Sequence, residues 1–303
     1  MKKSFKAVCY GEVLWDAFGN EKKIGGAPLN VALRIKSLGL DAAIISCVGN
    51  DEDGKNIIDY LQKHGLETDS ISVIDAYPTG LVQVYLNEKG SASYDISSPS
   101  AWDKIGTNSY ANRITANADV LIYGSLVCRD EVSRNTLFSL LDNYVYKVFD
   151  VNLRKPHYNT ETLLQLMQKA DFIKFNDEEL PEIAATMGFN SKDLKENIQF
   201  IADATNTKAV CVTLGKDGAI LFLEGKCYSN EGYPVKVADT VGAGDSFLAS
   251  LITKLLIGND PQKAIDFACA VGALVASKSG ANPYIEPARI ENMLRTSKEK
   301  EQL

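Results

Sequence analysis

The sequence predicts an α/β protein in three layers, α/β/α, with a mostly parallel central sheet and a small β-hairpin lid. Three observations predict it. Near-continuous apolar runs recur along the chain: AVCYGEVLW, AAIISCVG, ADVLIYG, KVFDVNL, ADFIKFN and KAVCVTLG. Strands buried on both faces read this way, and helical periodicity fills most of the gaps between them, as a parallel sheet requires. One stretch, GLVQVYLNEKGSASYDIS, instead alternates apolar and polar residues around a turn near Asn87 to Gly90, which is a hairpin pattern.

Taken in order, the first run reads as a strand with Asp16 at its end. Residues 28–38 place Val31, Ala32 and Ile35 on one helical face and stop at Gly39. Residues 53–64 do the same with Ile57, Ile58 and Leu61 and stop at Gly65. The hairpin comes next. Its apolar positions fill only half of each strand, so the other face is either wet or lies over a ligand. A mobile lid and a static edge hairpin both fit. After the later strands, residues 246–257 carry Phe247, Leu248, Leu251, Ile252, Leu255 and Leu256 at helical spacing and end at Gly258. The charged tail SKEKEQL is expected to fray.

Composition narrows the function. The 303 residues are 45% hydrophobic and 23% charged, with a net charge of -7, which argues against a nucleic-acid surface. No apolar run reaches the length of a membrane span or a signal peptide. The six cysteines lack C-x-x-C spacing and mostly lie in apolar runs, and there are only two histidines. They read as reduced, buried residues rather than zinc ligands. The expectation is a soluble, cytoplasmic protein acting on small molecules, without nucleic-acid or membrane partners.

The chemistry is concentrated in ADTVGAGDSF. Gly242, Ala243 and Gly244 bare main-chain N–H groups at the start of a long helix, where anions are stabilised. A carboxylate in that position, Asp245, would repel an anion unless it served a second reactant. Phosphoryl transfer supplies that division: the N–H groups hold the migrating group and Asp245 accepts the proton of the attacking hydroxyl. A glycine-rich turn whose aspartate merely favours the helix dipole is the competing reading. GNDEDGKN, from Gly49 to Asn56, fails as a phosphate loop because Asn56 replaces the hydroxyl and three acids crowd it. GAGDSF lacks the third glycine and the early βαβ setting of a dinucleotide fingerprint, which disfavours a nicotinamide-dependent dehydrogenase.

Other segments suit ligand contacts. Gly25 and Gly26, followed by Asn30, permit close backbone approach plus one amide, and Asp16 offers a carboxylate to sugar hydroxyls. Asn176 and Glu179 in KFNDEEL suit a magnesium-bound water. Thr213, Gly215 and Gly218 in TLGKDGA form a hydroxyl and glycine cluster able to approach a nucleotide, or simply a hairpin turn.

These segments, in this order, resemble the ribokinase-like carbohydrate kinases of the phosphofructokinase-B type, from GEVLWDAF to SKSGANP. IGGAPLNVA matches the early glycine-pair signature of that family and DTVGAGDSF the late one. The resemblance implies a single ribokinase-like domain over 1–303, a lid formed by about 12–30 and 78–103, ATP as donor and Mg2+ as counter-ion. It implies Asp245 as base, Gly242, Ala243 and Gly244 as anion hole, and Asp16, Gly25, Gly26 and Asn30 as sugar contacts. Asp239, Ser279 and Gly280 match a monovalent-cation site, for K+, seen in some relatives. Cys269 falls near the adenine, where relatives often carry asparagine. GGAP, FDVNLR and SPSAWD look most similar to fructokinases, which adds Arg154 and Trp102 to the sugar contacts. 2-Keto-3-deoxygluconate kinase shares the DxNxR segment, but between Gly80 and Asp103 only Lys89 is basic, and an acid sugar needs more. Other neutral-sugar kinases of the ribose type and a non-catalytic sugar sensor are further alternatives. A homodimer through the lid is a possible assembly.

Overall fold

Alternation along each apolar strand builds two cores at once. In β1 (Lys6–Tyr10), Ala7 and Cys9 face one buried layer, while Val8 and Tyr10 face the other. A strand with no polar face must be covered on both sides. The structure is a computed structural model describing residues 5–19, 21–86 and 92–301. Its further strands are β2 (Leu14–Phe18), β3 (Glu21–Gly25), β4 (Asp41–Gly49), β5 (Ile71–Ile74), β6 (Gly80–Leu86), β7 (Ala92–Ile96), β8 (Val120–Gly124), β9 (Tyr146–Asp150), β10 (Phe172–Asn176), β11 (Ala209–Thr213), β12 (Ala219–Leu223) and β13 (Lys226–Asn230).

Nine of these strands form the central sheet in the order β13-β12-β11-β10-β9-β8-β1-β4-β5. From β11 to β5 every pairing is parallel; β12 and β13 add an antiparallel edge. The chain runs outward from β1 through β4 and β5, then restarts on the other side with β8. Such a reversal opens a crevice at the carboxyl ends of the strands, where ligands collect.

The helices begin and end where the sequence marks them. Ala27–Ser37, Glu52–Lys63 and Ala243–Leu256 are followed by Gly39, Gly65 and Gly258, all at positive φ. Asp51 caps the Glu52–Lys63 helix by accepting the Gly54 N–H at 2.7 Å, so GNDEDGKN is a loop and helix start. No helix among the described residues is long and apolar enough to cross a membrane. Five of the six cysteines are buried and all are unpaired.

The small sheet departs from expectation in extent. It has four strands, in the order β3-β2-β6-β7. The hairpin is present as antiparallel β6 and β7, while its turn, with Lys89, lies outside the described residues. The first apolar run is not one strand. It breaks at Gly11, where φ is 145°, and continues as β2 in the other sheet, so Asp16 lies within a lid strand and not at the end of a central one. The strands of the small sheet are Leu14–Phe18, Glu21–Gly25, Gly80–Leu86 and Ala92–Ile96, and residues from Ala27 onward coil into a helix that packs on the central sheet.

Candidate active site

The carboxyl ends of the central strands and the inner face of the small sheet enclose a cavity of 240 Å³. That is below the range of roughly 300–1,000 Å³ typical of drug-sized ligands and suits a small polar molecule. Val82, Val84 and Ile96 of the lid line it from one side; Asp16, Gly26, Asn30, Arg154, Gly242, Gly244 and Asp245 are among the residues lining the rest. Seven expected positions therefore meet in one space.

Local sequence explains how each is held. A side-chain carbon at Gly25 would collide with the Asp16 carboxylate, and one at Gly26, φ 109°, with the Glu12 carbonyl. The glycine pair thus lets β3 pass into the helix tight against both acids. Gly242, φ 74°, is the N-cap of the Ala243–Leu256 helix, and Ala281 lies where its side chain would be. The Ala243 N–H donates to the Thr240 carbonyl at 3.2 Å. Gly242, Gly244 and Asp245 line the cavity and Ala243 does not.

Asp245 accepts a hydrogen bond from Asn30 Nδ2 at 2.8 Å. Burial, then the charge of Asp150, pushes its carboxyl up to about 6, against the pull of Asn30, Lys174 and Arg154. Asp16 is raised to about 6 by burial, opposed by Arg154. Raised carboxyls sharing one cleft are typical of a functional site.

The other expected positions lie elsewhere. Trp102 is fully buried beneath the lid among Leu14, Val82, Val84, Ile96 and Leu126, with the Arg129 guanidinium 4.0 Å from its ring. It supports the cavity wall from behind and does not line it, because the indole fills the space left by Gly80. Thr213, Gly215 and Gly218 form the β11–β12 turn, and Cys269 is buried in the Pro261–Ala276 helix; all four are outside this cavity. Asn176 Oδ1 accepts the Glu179 N–H at 2.7 Å. Glu179 takes the Leu153 N–H at 2.8 Å on Oε1 and the Asn176 N–H at 2.9 Å on Oε2. A carboxylate has lone pairs beyond those two, so this pair fits a metal through water rather than as a direct cage. Among the described residues no cluster of three His, Cys, Asp or Glu side chains could hold a metal alone. Asp239 accepts the Val241 and Gly280 N–H groups, each at 3.0 Å, and Ser279 accepts from Lys23 at 3.2 Å.

Several lining residues escaped the sequence reading, three of them next to the acids and Arg154. Glu12, Asn152 and Lys174 also line the cavity. Lys174 is buried, 3.0 Å from Asp150, and a methyl group built on Gly244 would stand 3.6 Å from its Nζ. Burial works against its charge, but Asp150 and Glu179 hold its titration above the usual lysine value. Glu12 is 3% exposed, and its Oε2 has no hydrogen-bond partner. A lysine inside ADFIKFN looks like a strand interruption, and only the polar break in that apolar run hinted at it.

An α/β sheet whose crevice joins a glycine-capped helix N-terminus, a raised aspartate and a β lid defines a small-molecule enzyme that handles anions. The chain belongs to the pfkB family of carbohydrate kinases, whose profile matches residues 3–288. It is 30% identical over 300 residues to probable fructokinase-3 of Arabidopsis thaliana, covering 93% of this chain and 85% of that one. Among solved structures, a double-mutant fructokinase from Vibrio cholerae O395 bound to fructose, ADP and potassium ion is 26% identical with a TM-score of 0.83, covering 96% and 98% of the two chains. A sugar kinase from Pyrococcus horikoshii in complex with ATP is 28% identical with a TM-score of 0.79, covering 98% and 100%.

Proposed function

We propose that this protein is an ATP-dependent fructokinase that phosphorylates the 6-hydroxyl of D-fructose, giving fructose 6-phosphate and ADP. The observation that carries the reading is Asp245 at the mouth of the Ala243–Leu256 helix, in a monosaccharide-sized cavity roofed by the lid. Asp245 accepts the hydroxyl proton as the sugar oxygen bonds to the γ-phosphorus and the bond to the ADP oxygen breaks. The N–H groups of Gly242 and Gly244, with Lys174 beside them, stabilise the charge on the moving phosphoryl group. Asp16, Gly25, Gly26, Asn30 and Arg154 orient the sugar. Magnesium, reached from Asn176 and Glu179 through water, would neutralise the ATP phosphates. Thr213, Gly215, Gly218 and Cys269 would take the nucleotide, and the loop at Asp239, Ser279 and Gly280 a potassium ion.

A neutral sugar is favoured over an acid one. Glu12, Asp16 and Asp245 line the cavity against Arg154 and Lys174, and Lys174 is already paired with Asp150. An added substrate carboxylate would find no uncommitted lysine there. The purified protein with ATP, magnesium and a panel of fructose, ribose, 2-keto-3-deoxygluconate and nucleosides tests this, with fructose expected to give the highest kcat/KM. A preference for the acid sugar would sink it, and sugar binding without ATP consumption would point to a sensor. Tyr85 of β6 is 58% exposed on the outer lid face, where a homodimer would form; sedimentation velocity tests that assembly.

A further inference from the structure

Asp245 is the end of a chain of amides. Its partner Asn30 is 3% exposed, and Asn30 Oδ1 accepts from Asn282 Nδ2 at 2.6 Å. An ionised carboxylate only accepts hydrogen bonds, so Asn30 must turn its NH2 toward Asp245. Its carbonyl then faces the other way, where only a donor fits. Asn282 supplies that donor, and in doing so leaves its own Oδ1 buried without a partner. A buried oxygen left unpaired is unfavourable, so the orientation serves the contact with Asn30.

The segment bearing Asn282 is fixed from both flanks. The Gly280 N–H donates to Asp239 Oδ2 at 3.0 Å. Arg34 Nη2 donates to the Pro283 carbonyl at 3.0 Å, and Arg34 Nε to Ser246 Oγ at 3.0 Å. Ala281 packs against Gly242. The loop is thereby tied to the helix that begins at the proposed anion hole.

We propose that Asn282 is a positioning residue for phosphoryl transfer: its amide locks the orientation of Asn30 and so keeps a hydrogen-bond donor on the Asp245 carboxylate. This rests on the reading of Asp245 as the base. Without Asn282, Asn30 is free to turn its amide over and present an oxygen to the carboxylate. Two acceptors repel, and a proton on Asp245 relieves them. The Asn30 bond favours ionised Asp245, so its loss moves the titration of the base upward. The charged groups that also bear on Asp245 are Asp150, Lys174, Arg154, Glu12 and Asp16, and substitution at 282 leaves all of them in place.

The test is kcat/KM against pH for Asn282→Ala and Asn282→Asp, using whichever sugar the wild type turns over best. Asn282→Ala is expected to shift the acid limb upward by about one pH unit, with activity down about fivefold near pH 6 and recovering toward pH 8.5. Asn282→Asp puts an acceptor where the donor was, forces the flip, and should lose more than the alanine variant although it keeps the volume. A purely structural role would instead lower the thermal midpoint and scale the rate equally at every pH. Acid limbs that coincide with wild type in both variants overturn the proposal. Should Asn282→Ala not fold, the near-isosteric and uncharged Asn282→Leu removes the donor and carries the same readout. Asp245→Asn keeping wild-type turnover would overturn the base assignment itself, a result distinct from an unmoved limb in the Asn282 variants.

Discussion

Glu12 lines the cavity, and one oxygen of its buried carboxyl group has no hydrogen-bond partner. Burial pushes its carboxyl up to about 7, with Arg154 opposing. A sugar hydroxyl is the group that would complete it. Glu12→Gln is expected to raise KM for the sugar about tenfold while leaving KM for ATP unchanged, the value of one hydrogen bond to a charged group; steady-state kinetics check it. Asp245→Asn should lower kcat by about 10²–10⁴-fold with sugar affinity largely kept. Because Asp245 must be ionised to accept a proton and titrates at about 6, kcat/KM should fall as pH drops through 6. The sequence exposes Asp245, Gly242 and Asn30 because each belongs to a local pattern. Glu12 and Lys174 stayed hidden because they come from the β1–β2 link and from β10, distant segments that only the sheet order brings together.

The lid shows the same contrast between elements. The β6–β7 hairpin is legible from alternation, since one of its faces is apolar and the other is not. The share of 12–30 in the small sheet comes from the family resemblance, because AVCYGEVLW reads as one strand and only Gly11 and Glu12 interrupt it. Trp102 reads as a ligand-facing aromatic, yet it is the keystone between lid and central sheet. Its carbonyl accepts from Ser133 Oγ at 2.8 Å, and the neighbouring Asp103 pairs with Arg129 at 2.8 Å. Trp102→Ala is expected to cost about 3–5 kcal/mol of stability. Denaturant unfolding measures that loss, and KM for the sugar should rise as the wall behind Val82 and Ile96 loosens.

Across the whole molecule, Glu12, Asp16 and Asp245 are held above ordinary carboxylate values. Below about pH 4 these groups are protonated in folded and unfolded chains alike and leave stability untouched. Between about pH 4 and pH 6–7 the unfolded chain releases these protons while the fold retains them, so stability falls across that window and levels off above it. Asp245→Asn, with no charge to bury, should therefore melt a few degrees above wild type at pH 8, at roughly 2–4 °C per kcal/mol, and show no advantage near pH 4. Calorimetry at both values decides it. The bend at Gly11 carries one more consequence. Its N–H donates to the Ile45 carbonyl at 3.2 Å and its carbonyl accepts from Ser46 at 2.6 Å, which anchors the bend to β4. Only Glu12 and Val13, both buried, separate that anchor from the first lid strand. The two sheets are thus joined at this point by a buried two-residue link that includes one of the cavity-lining acids, so a substitution that loosens Gly11 is expected to reach the cavity.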